Sequence, residues 1–209
     1  IALFSVILLA GASYAKEVTL LMDWFPQGNQ SGYWQAQFDN DDHDLKITVK
    51  AGGPKVRTTT AVASGQVEFG LNGSDSVMMA NAKGAGLKAI FVSLNHVPYT
   101  LVFHPNQGIK TVNDLEGRPF AVVMGITYWK WVKYKYGVTA KEFPLTGDLG
   151  LFARTPEQFQ QGYSIFLPAR LDAKGVPNEQ ITLESLGYRP YSVLFTSEKL
   201  IKEDPELVQ

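Results

Sequence analysis

The most constraining feature of this chain is the alternation of short apolar runs with segments of helical pattern, many closed by glycine. Residues 18–22, 45–51, 67–71, 87–94 and 100–103 read as strands, and 33–38, 57–64, 76–83 and 111–115 read as helices. Further on, 120–124, 142–144, 163–166, 181–186 and 191–196 read as strands, with helices over 128–136 and 156–161. Gly65, Gly84 and Gly137 follow three of the helical segments, where a helix normally stops. The run 87–94 is apolar except for Lys88 and Ser93, as buried parallel strands are. Such alternation predicts an α/β fold with mainly parallel sheets flanked by helices.

Composition then removes whole classes of function. The 209 residues are 45% hydrophobic, which excludes wholesale disorder. There is no cysteine, hence no disulfide scaffold, thiol nucleophile or Cys-ligated zinc or iron–sulfur centre. A net charge of −1 leaves no basic footprint for nucleic acid. His43, His96 and His104 are scattered, and no Gly-x-Ser-x-Gly, His-Glu-x-x-His, Walker or Gly-x-Gly-x-x-Gly pattern occurs. No catalytic residue, metal or cofactor is expected. The acidic stretch 39–44 lacks the glycine and terminal glutamate of a calcium loop and reads as a solvated turn.

The two ends carry separate expectations. Residues 1–15 are uncharged and mostly apolar, too short for a span of ~20 residues. Ser13-Tyr14-Ala15 has the small residues of a signal-peptidase site. The expectation is the remnant of a signal peptide, cleaved before Lys16, and a protein exported to the periplasm. At the other end, Glu203-Asp204-Pro205-Glu206 has the pattern that begins a helix: cap, proline in the first turn, acid at the positive end of the dipole. With no initiator Met, the reading is a fragment at both ends.

Ligands in open α/β sheets sit beyond the carboxyl ends of strands. There this sequence places Asp23, Trp24 and Phe25, then Gly52-Gly53-Pro54, then Asn72, Gly73, Ser74 and Asp75, then Asn95 and His96. After 120–124 come Gly125, Ile126, Thr127, Tyr128 and Trp129. Aromatic walls with a few small polar groups suit a concave pocket for a small, flat molecule. Gly125-Ile126-Thr127 and Asn72-Gly73-Ser74 each precede a helix, whose free N–H groups favour an acceptor. Each group also has a plain structural reading: Trp24 and Phe25 as core aromatics, Ser74 and Asp75 as caps, His96 as a loop histidine. Trp129, in the first turn of its helix, is the best aromatic ligand candidate there.

The order of these segments resembles the periplasmic solute-binding proteins of ABC importers, in the branch related to thiamine-pyrimidine-precursor binders. The resemblance rests on 18–26, on Gly32-Tyr33-Trp34-Gln35-Ala36, and on Gly52-Gly53-Pro54. It continues through 63–70, Asn72-Gly73-Ser74-Asp75, 114–118 and 190–196. It implies a two-lobed type II binding fold with the ligand between lobes. Lobe one would be 16–103 plus 195–209, lacking its C-terminal part, and lobe two 107–190. Hinge strands would lie near 100–104 and 191–196. It also implies a small aromatic or heterocyclic nutrient, a membrane permease as partner, and a monomer. Trp24, Tyr33 and Trp129 would stack on or wall the ligand, Asn29, Asn72, Ser74 and Asp75 would bond its edges, and Thr127 with the N–H groups beside it would hold a polar substituent; Asp23, Asn95, Gly125 and Tyr128 complete the expected binding residues. Relatives often carry an acidic residue where this chain has Leu167, and His-Gly or His-Thr-Gly where it has Gln30-Ser31-Gly32. Two rival functions follow from the same fold. One is an exported sensory module of a membrane signalling protein. The other is a pyrimidine synthase, whose relatives carry a cysteine cluster that is absent here.

Overall fold

The computed structural model describes residues 15–39 and 45–209. The signal-like segment and the acidic turn at 40–44 lie outside the described residues. Ten strands follow in chain order: β1 (Lys16–Leu21), β2 (Leu45–Lys50), β3 (Phe69–Gly73), β4 (Leu87–Leu94), β5 (Tyr99–Phe103), β6 (Pro119–Val122), β7 (Lys141–Pro144), β8 (Phe159–Tyr163), β9 (Glu179–Thr182) and β10 (Ser192–Ser197). The α-helices are α1 (Ser31–Ala36), α2 (Thr58–Ala63), α3 (Ser74–Asn81), α4 (Thr127–Tyr136), α5 (Leu149–Arg154), α6 (Leu167–Asp172), α7 (Glu198–Glu203) and α8 (Pro205–Val208). The helix start read at 203–206 forms α8, with the Asp204 carboxylate accepting the Leu207 N–H.

The strands make two five-stranded sheets, ordered β2-β1-β3-β10-β4 and β7-β6-β8-β5-β9. The α/β class therefore holds, but both sheets are mixed. β1 runs parallel to β2 and β3, while β10 is antiparallel to β3 and β4. In the second sheet β6 is parallel to β7 and β8, while β5 is antiparallel to β8 and β9. Among the described residues, only two short connections, 95–98 and 183–191, join the sheets. They lie side by side, with the Val97 N–H bonded to the Pro190 carbonyl at 2.7 Å. The strand at 100–103, assigned from sequence to lobe one and its hinge, is part of β5, a fully buried inner strand of the second sheet between β8 and β9.

Several segments differ from the sequence reading: residues 164–166 and 183–186, expected within strands, form turns, and α5 and α6 fall where no helix was expected. Residues 156–161, expected as a helix, lead into β8, which is hydrogen-bonded between β6 and β5. Glutamine is a good helix former, but Phe159, Gln160 and Gln161 are all buried, and the central position in a sheet overrides that weak local preference. The run 87–94 is a strand but not a buried parallel one: β4 is an edge strand paired only with β10. Its neighbours Phe91 and Val92 are 58% and 47% exposed. Successive side chains point to opposite faces, so both faces are open there.

The second sheet has the larger core. Phe120 and Phe159 stack at 4.1 Å, and Trp129 from α4 meets Phe120 edge-on at 4.7 Å. Leu101, Leu115, Tyr128, Val132 and Leu183 close around them. The first sheet is packed more thinly, with Val62, Val77, Leu87, Val193 and Phe195 on one side. On the other side Leu20, Met22, Val49 and Leu71 pack under Tyr33 and Trp34.

A candidate ligand cleft between the two sheets

β1 ends in the loop that carries Asp23 and Trp24. Gly52, just beyond β2, holds that loop in place: a Cβ on it would sit 2.1 Å from the Met22 carbonyl oxygen. Only glycine allows this approach, and it lets the Gly52 N–H bond the Trp24 carbonyl at 3.0 Å. Asp23 and Trp24 thereby stand at one wall of a cleft of about 640 Å³.

The same wall includes Phe25, Arg57 at the start of α2, and Asn72 at the end of β3. Facing them are Val123 to Thr127 after β6, Gln160 to Tyr163 along β8, and Phe166, Leu167 and Arg170 on and before α6. Tyr99, first residue of β5, also lines the space. The cleft therefore lies at the strand ends of both sheets. Arg57 spans it, its guanidinium reaching the Met124 carbonyl at 3.5 Å.

Asp23 is the carboxylate in the wall. Burial raises its pKa from 3.8 to about 6, against its own and the Trp24 backbone N–H and the Gln30 amide, which donates at 3.2 Å. Burial outweighs those donors because none is a cation. Deeper in, the Tyr99 and Tyr163 rings meet at 5.5 Å. Burial holds both hydroxyls well above their ordinary pKa, so they remain neutral hydrogen-bonding groups.

Of the residues expected at the ligand, Asp23, Trp24, Asn72, Gly125 and Thr127 line this cleft. Asn72 is already engaged: its amide nitrogen donates to Thr58 Oγ1 at 2.8 Å and its oxygen accepts the Gly73 N–H. The other expected residues stand elsewhere. Trp129 is 2% exposed within the core, its indole N–H bonded to Glu142 at 2.9 Å. Tyr128 is fully buried on the same helix. Tyr33 packs beneath the first sheet, and Asn29 is half-buried outside the cleft wall. Asn95 is exposed on the connection between sheets.

Ser74 and Asp75 instead hold the second connection: Ser74 Oγ accepts the Tyr191 N–H at 3.1 Å, and Asp75 accepts the Tyr188 hydroxyl at 2.6 Å. Burial raises the Asp75 pKa and the Tyr188 hydroxyl bond lowers it.

Sequence reasoning passed over Arg57, Tyr99, Gln160, Gln161, Phe166 and Arg170. The first signal available was the extended, buried character of 159–163, hidden by its glutamines. Leu167, where relatives carry an acid, does lie in the wall and packs on Gly162, where a Cβ would come within 2.3 Å of it.

Two mixed sheets with a cleft at their strand ends define a two-lobed binding fold of the periplasmic type. Solved structures agree. The alkanesulfonate-binding protein SsuA of Xanthomonas axonopodis pv. citri matches with a TM-score of 0.69 at 18% identity, over 93% of this chain and 71% of that one. The periplasmic aliphatic sulphonate-binding protein SsuA of Escherichia coli matches with a TM-score of 0.66 at 15% identity, over 93% and 65%. The chain belongs to the NMT1/THI5-like family, whose model matches residues 29–209. A 4-amino-5-hydroxymethyl-2-methylpyrimidine phosphate synthase of Legionella pneumophila is 26% identical over 113 residues, 53% of this chain and 35% of the relative. This chain thus spans about a third of that relative and 65% of the E. coli protein.

Proposed function

We propose that the protein is the exported substrate-binding component of an ABC importer. It captures a small aromatic or heterocyclic nutrient between its lobes and delivers it to a membrane permease. The observation that carries this reading is the cleft itself: aromatic walls from Trp24, Phe25, Tyr163 and Phe166, a few polar groups, and contributions from both sheets. A flat ring would stack on Trp24, with Asp23 accepting from its edge. The free N–H groups at Thr127, where α4 begins without a side-chain cap, would meet a polar substituent. Lobe closure would pivot on the connections at 95–98 and 183–191, the only covalent crossings between the sheets among the described residues. A hinge of a few residues that favours the bound state is enough for capture.

Among the described residues no helix is long and apolar enough to cross a membrane. A thermal-shift screen with heteroaromatic nutrients tests the reading. A ligand at ~100 Kd stabilises by about 2.7 kcal/mol, and Trp24→Ala should abolish the shift. The Legionella relative supports a second reading, a synthase acting on the same pyrimidine class. Product formation by the purified protein without a permease would favour it.

A further inference from the structure

The β6–β8 ladder ends at Ala121 paired with Gln160. Beyond it the Val123 N–H would lack a strand partner, and the next side chain on β8 supplies one. Gln161 Oε1 accepts that N–H at 2.9 Å. The bond fixes which end of the amide is which: a backbone N–H can only donate, so the bonded atom is the oxygen and the remaining one is the NH₂. Gln161 is 6% exposed and lines the cleft, and among the described residues its amide nitrogen has no hydrogen-bond partner. On the other wall Asp23, when ionised, can only accept. Gln161 and Asp23 thus present opposite hydrogen-bonding polarity to one space, which Arg57 and Arg170 also line as donors.

We infer that Gln161 is a specificity-determining residue. Its tethered amide donates to an acceptor atom of the ligand ring, such as a ring nitrogen or carbonyl, while Asp23 accepts from a donor on the opposite edge. This rests on the reading of the cleft as the ligand site. The ligand class is then a heteroarene with an acceptor edge and a donor edge, rather than any flat apolar ring. A ring without the acceptor leaves a buried N–H unpaired, which costs more than the bond itself yields.

The test uses matched probes on the full chain: 4-aminopyrimidine against aniline, and 4-amino-5-hydroxymethyl-2-methylpyrimidine against 2-amino-4-methylbenzyl alcohol. Affinities are measured by ligand-observed NMR titration at pH 8.5. The heteroarene of each pair should bind at least about tenfold tighter. Gln161→Glu keeps an oxygen for Val123 and offers only an acceptor at that pH, so the preference should collapse. Gln161→Met should also lose it, and thermal melts report whether each variant folds. Binding of both members of each pair with equal affinity overturns the inference and leaves the cleft reading standing. So does a preference that persists in folded variants. Failure of every probe to bind overturns the inference and counts against the cleft reading as well.

Discussion

Two tryptophans follow apolar strands in this sequence, and the structure puts them to different uses. Trp24 stands on the loop after β1, half-buried in the cleft wall, with a charged neighbour that no cation balances. Trp129 stands in the first turn of α4, 2% exposed, locked between Phe120 and Phe159 and bonded to Glu142. The contrast separates a site from its support. The β1 loop leaves a ring facing the cleft and a carboxylate without a cation, whereas the α4 turn buries the Trp129 ring and pairs its indole N–H internally.

Mutation should split the two. Trp129→Ala should have the largest effect on stability, about 3–5 kcal/mol, seen as a collapse of the thermal or denaturant midpoint. Trp24→Ala should cost much less, on the order of 1 kcal/mol, because a partly exposed ring buries less area.

Asp23 sharpens the comparison through pH. Its folded pKa, about 6, lies above the ordinary 3.8. The native state then holds the proton more tightly than the unfolded state, so stability falls as pH rises from about 4 to 6. Asp23→Asn should remove this cost. The variant should be more stable than the wild type at pH 7–8 by on the order of 2–3 kcal/mol, with the gain fading near pH 4. Denaturant melts across that range measure it. A ligand that donates to ionised Asp23 should bind less tightly as pH drops through 6.

At the second connection between the sheets, Tyr188→Phe removes the hydroxyl donor to Asp75. It should cost about 1–3 kcal/mol while leaving the Trp24 wall intact. The smallest effect should be at the edge strand: Phe91→Thr should change stability by no more than about 0.5 kcal/mol, since that ring is 58% exposed. A larger loss by denaturant melt would mean that the β4 face is covered.

What could be read before the structure followed from local chemistry. The strand at 18–22, Gly137 ending α4 with a positive φ of 70°, and the Asp204 cap are set by residues a few positions apart. The cleft lies at strand ends that are legible in the sequence, and Asp23, Trp24, Asn72, Gly125 and Thr127, which follow those strands, line it. The rest depends on contacts distant in sequence. Whether Trp129 faces a ligand or a core is decided by Glu142, Phe120 and Phe159. Asp75 has the pattern of a ligand residue, but its hydrogen-bond partner is Tyr188, 113 positions away. Gln161 was masked because glutamine favours helices, and only its place between β6 and β5 makes it a buried strand residue facing the cleft.

We place the ligand at the Trp24 wall between the two sheets. The decisive measurement is isothermal titration of one heteroaromatic binder against wild type, Trp24→Ala and Trp129→Phe. Binding should be lost in Trp24→Ala and kept within a few-fold in folded Trp129→Phe. Undiminished binding to folded Trp24→Ala would contradict this placement.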